Sequence, residues 1–66
     1  MSNTVNYSAD PESVEAYRVR VLFHCEELKQ EGNPRLRATI ALYLAEAATT
    51  LARLEAEEVN KMVALS

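Results

Sequence analysis

The chain has one cysteine, Cys25, so no disulfide can close within it. One cysteine and one histidine also fall short of the four ligands of a structural zinc. Tryptophan is absent, and one glycine and two prolines are too few for the many turns of a small β-sandwich or barrel. No uncharged apolar run approaches the roughly 18 residues of a membrane span. The first residues lack the basic start and apolar stretch of a secretory signal. A lone thiol suits a reducing compartment, so the expected location is the cytoplasm.

Basic charge is also scarce. Ten acidic against seven basic residues leave a net charge of −3, and the arginines are scattered in pairs at Arg18/Arg20 and Arg35/Arg37. Nucleic-acid binding, which rests on Lys and Arg contacts to phosphate, is therefore not expected. With 66 residues the chain has room for one domain. A domain of that size needs staples, oligomerisation or very regular helix packing, and the staples are missing.

What is present is alanine and helical periodicity. Residues 1–9 are polar apart from Val5 and Tyr7 and read as a flexible tail. Asp10-Pro11-Glu12-Ser13 predicts a helix start with Asp10 as cap and Pro11 in the first position. That helix is expected to span about residues 11–31. Gly32 is expected to end it in a left-handed conformation, and Asn33-Pro34 to start a second helix over about 34–63. The short turn at 32–33 makes the pair antiparallel. The expected fold is an all-α two-helix hairpin.

Two apolar faces run along the second helix. Leu36, Ile40, Leu44, Ala47, Leu51 and Leu54 follow a bulky stripe, matched on the first helix by Val14, Tyr17, Val21, Cys25 and Leu28. These eleven residues are the expected hairpin core. A second stripe of small residues holds Ala38, Ala41, Ala45, Ala48, Ala52, Ala56, Val59 and Val63. One neighbour cannot cover both stripes. Ala41, Ala45, Ala48, Ala52, Ala56, Val59 and Val63 are therefore the expected oligomer interface, and two hairpins are expected to form a four-helix bundle.

Val19 and Phe23, with Ala16 beside them, lie on the far side of the first helix, and Leu42 stands alone on a polar face. With Met62, which overhangs the shorter first helix together with Val59, Val63 and Leu65, they form a second candidate surface for a protein partner. Folding at Gly32 is expected to set Arg18 level with Ala47. It also brings Glu26, Glu27 and Glu31 across the turn from Arg35 and Arg37, while Glu57 and Lys61 have favourable i, i+4 spacing.

Catalytic signals are weak. His24 and Cys25 diverge by about 100° on a helix and cannot form a nucleophile–base pair. Glu26/Glu27 and Glu57/Glu58 are paired only in sequence, and no Glu-x-x-His, phosphate loop or metal-ligand cluster occurs. No catalytic residue, metal or cofactor is expected. The expectation is a non-enzymatic, self-associating module that regulates, antagonises or adapts another protein. Its size and hairpin layout also resemble the small co-chaperones of type III secretion needle proteins, a likeness of architecture without a shared diagnostic motif. That resemblance implies the alternative, an obligate subunit or co-chaperone of a hetero-complex. A DNA-binding regulator is the third reading, disfavoured because the second helix is acidic.

Overall fold

Local capping sets where each helix begins, and the computed structural model, which describes residues 10–65, shows two helices and no strand among them. α1 spans Val14–Gln30 and α2 spans Pro34–Leu65. The expected tail 1–9 lies outside the described residues, as does the side chain of Leu65.

α1 starts later than Asp10 would have it. The Asp10 carboxylate instead accepts from the Glu12 N–H at 2.9 Å, and its carbonyl accepts from the Ser13 N–H at 3.3 Å. Asp then Pro suits the first two positions of a β-turn as well as a helix start, and here the turn wins. Ser13 becomes the cap, its hydroxyl accepting from the Ala16 N–H at 3.1 Å. Arg20 ties the turn back by donating to the Pro11 carbonyl at 2.8 Å.

The connection also differs from expectation. Gly32 is not in the left-handed region. Glu31 closes α1 in an extended conformation, φ −81° and ψ 127°, with its N–H still bonded to the Glu27 carbonyl. The carbonyls of Leu28 and Glu31 are taken by the Arg37 guanidinium at 2.8 and 2.9 Å. A side chain thus does what a left-handed glycine does in other helix ends. The expected pairing across the turn is accordingly replaced. Arg37 bonds carbonyls, the Glu31 carboxylate accepts from the Asn33 N–H, and Glu26 and Glu27 bond within α1. Asn33 caps α2 as its sequence implies, its side-chain oxygen accepting from Arg35 and Leu36.

The two helices meet along the bulky stripe. Ala47 is the buried residue of the contact at 7% exposure, and Ile40, Leu44, Leu51 and Leu54 are half-buried on either side of it. From α1 come Val14, Tyr17, Val21, Cys25 and Leu28, also half-buried. Leu36, expected with them, is 50% exposed. It lies in the first turn of α2, beside the extended connection that follows the end of α1. The small Ala47 side chain permits the close approach that the larger neighbours then cover.

Tyr17 and Arg20, on either side of Arg18 in sequence, share a hollow with Ala47. Arg18 reaches Glu55, two turns beyond, with its Nε and Nη2 donating at 2.8 and 3.0 Å. This two-pronged contact is an ion pair that joins the helices.

Candidate functional site

The hairpin has two flanks, and they differ in chemistry. On one, Tyr17, Arg20 and His24 from α1 meet Tyr43, Glu46 and Thr50 from α2 over Ala47. The Arg20 guanidinium sits 4.4 Å from the Tyr17 ring centre, a cation–π distance. His24 Nδ1 lies 2.8 Å from Glu27 Oε1, and its ring lies 6.1 Å from that of Tyr43 and 5.7 Å from that of Phe23. Arg20 and His24 thus each have a polar partner within the chain.

On the other flank, Cys25, Leu28 and Leu44 line an apolar hollow, with Lys29 and Arg37 at its rim. At about 100° per residue, Leu22 falls about 60° from Cys25 and about 20° from Lys29, so it belongs to this flank. Ala41, Ala48, Val59 and Met62 fall within about 60° of Leu44. They are all exposed, as are Ala38, Ala45, Ala52, Ala56 and Val63 further round α2. Leu22 is 66% exposed and Met62 65%. At the open end of the hairpin, Val14, Leu54, Val59 and Met62 floor a second hollow edged by Glu12, Glu15 and Glu58.

The Arg18–Glu55 pair bridges the helices beside that second hollow. Its hydrogen bonds hold the Glu55 carboxyl below the ordinary glutamate value of 4.5, and the same contact, first through the hydrogen bond and then through charge, raises Arg18. Both side chains remain substantially exposed, so water screens the pair. Further out, Glu57 pairs with Arg53 at 3.6 Å and Lys61 with Glu58 at 3.8 Å, in place of the expected Glu57–Lys61 pair.

Val19 and Phe23, at 64% and 59% exposure, stand on the side of α1 away from α2, and Leu42 is exposed on the polar face of α2. Leu22 and Tyr43 are large exposed residues that sequence reasoning passed over. The signal for Leu22 was its position on the line of Lys29, between the core stripe and Val19. Tyr43 sits four residues before Ala47, at the edge of the core stripe, where an aromatic body packs and a hydroxyl reaches solvent.

For chemistry the arrangement offers little. Cys25 faces the apolar hollow while His24 turns to the opposite flank and to Glu27. Among the described residues no group of three His, Cys, Asp or Glu side chains is placed to hold a metal ion. Among them, too, no helix is long and apolar enough to cross a membrane. Comparisons with protein-family models, with curated proteins and with solved structures find no match to this chain.

Proposed function

We propose that this chain is a small non-enzymatic interaction module: a homodimer of hairpins packed as a four-helix bundle, which regulates, antagonises or adapts another protein in the cytoplasm. The observation that carries the reading is the amount of large apolar surface left bare. Leu22, Val59, Met62 and Val63 are each more than half exposed, as are Val19, Phe23 and Leu42, while Ala47 is the one buried residue among those described. Scattered apolar exposure is ordinary, but contiguous patches mark interaction sites. A two-helix hairpin with so thin a core also has little to stabilise it alone.

The division of labour follows from placement. The flank holding Leu22, Ala48 and Met62 serves self-association, and Val19 and Phe23, on the outer side of α1, remain open for a second protein. A net charge of −3 weighs against a polyanionic partner. The test is chromatography with light scattering on the whole chain and on Ala48→Glu. The proposal expects a dimer for the first and a monomer or an unfolded chain for the second. Equal single-chain masses for both would refute it, and a chain that stays soluble only with a co-expressed partner would favour the hetero-complex instead.

A further inference from the structure

The charge on the apolar flank is polarised along the hairpin. Lys29 and Arg37 rim the hollow at the turn end, whereas Glu12, Glu15, Glu55, Glu57 and Glu58 outnumber Arg18 and Lys61 around the hollow at the open end. Leu22 lies midway, with Glu15 seven residues before it and Lys29 seven residues after it. A face whose opposite charges are spaced equally about an apolar centre is complementary to itself under a two-fold rotation.

Resting on the homodimer proposed above, we infer that this flank is covered by a second copy of the chain turned end for end. The rotation axis then passes beside Leu22 on α1 and between Ala45 and Ala48 on α2. Each α1 lies antiparallel to the other α1 and each α2 to the other α2. The turn end of one copy, with Lys29 and Arg37, rests over the open end of the other, with Glu15 and Glu58.

Charge and level select this orientation. Stacking the copies the same way round sets Lys29 and Arg37 beside their own duplicates, and the acidic ends likewise, which is repulsive at both ends. The end-for-end arrangement instead sets each basic end over an acidic one. It also aligns the levels within each hairpin. His24 stacks near Tyr43, and Tyr17 and Arg20 flank Ala47. Leu22 is therefore level with the Ala45–Ala48 segment, and one axis serves both helices. The small side chains of Ala41, Ala45, Ala48 and Ala52 let the α2 pair approach near the short end of the 8–10 Å interhelical range. Lys29 is held within its own chain only by an exposed 3.3 Å contact to Glu26, which exchanges readily for an intermolecular one.

Charge exchange tests the orientation. Glu15→Lys and Lys29→Glu are each expected to weaken dimerisation about tenfold, since each change makes two contacts per dimer repulsive. The double variant, measured with helicity as a check on folding, is expected to regain wild-type association. As an independent reading, Leu22→Cys in a Cys25→Ala chain is expected to cross-link to its own copy under diamide. A dimer indifferent to the single changes, or not rescued by the double, overturns the end-for-end orientation while leaving self-association standing. So does absence of the Leu22→Cys cross-link in a chain that still dimerises. A wild-type chain that stays single at every concentration overturns both.

Discussion

The two flanks of the hairpin are built from the same pair of helices, yet one is finished and the other is not. On the first, Arg20 covers Tyr17, Glu27 holds His24, and Tyr43 lies against the imidazole ring. On the second, Cys25, Leu28 and Leu44 line an apolar hollow, Leu22 is exposed on the same flank, and Met62 is exposed at its open end. The lesson is about how a short chain distributes its work. Polar side chains such as Arg20 and His24 find partners within the chain. Aliphatic ones cannot, because nothing but more apolar surface covers them.

The comparison breaks most sharply under a charge placed on the open flank. Ala48→Glu puts one carboxylate from each copy into the proposed interface, with an expected cost of about 3 kcal/mol or more and a loss of association of about a hundredfold. Tyr43→Gln on the closed flank should leave association unchanged. Gel filtration of the two variants side by side reads the difference, and equal effects would mean that the flanks are not distinct.

The contact common to both flanks comes next. Ala47→Leu forces extra volume where the helices are nearest, with an expected loss of about 1–3 kcal/mol in stability to urea. A wild-type midpoint would show that the helices do not meet there. Ser13→Ala should follow at about 1 kcal/mol, from the loss of the hydroxyl that caps α1. Asp10→Ala should matter less, and the reverse order would restore Asp10 as the cap.

Why the sequence led to Asp10 is instructive. Asp-Pro-Glu-Ser satisfies both a β-turn and a helix start, and only the competition between two oxygens decides between them. Gly32 misled in the same way. A lone glycine after a helix is a strong stop signal, but Arg37, five residues later, supplies the capping that a left-handed glycine would have provided. By contrast, the spacing of Ile40, Leu44, Ala47, Leu51 and Leu54 needed no such arbitration, since a 3.6-residue period identifies one helical face whatever its neighbour does. The flanks were not legible. Periodicity gives the angle of Leu22 or Tyr43 around its own helix, but not the side to which the partner helix leans.

Two smaller effects sharpen the account. The Arg18–Glu55 pair spans the helices, and the folded-state value of Glu55 is depressed. The folded chain then binds fewer protons than the unfolded one, so this contribution is present above the ordinary glutamate value and lost as pH falls through the depressed one. Glu55→Gln should therefore flatten the acid limb of the stability curve. An acid limb as steep as that of the wild type would show that Glu55 does not contribute to it. Gly32→Ala should be neutral or stabilise by up to about 1 kcal/mol, because an added Cβ meets nothing within 4 Å and the backbone is not left-handed. A clear loss in thermal melting would show that the turn does need glycine.

Sedimentation equilibrium of the whole wild-type chain, carried from low micromolar to near-millimolar concentration, addresses the unfinished flank most directly. Twice the single-chain mass, with helicity rising as the species forms, is the result expected here. A well-folded species of single-chain mass across the whole range would contradict it.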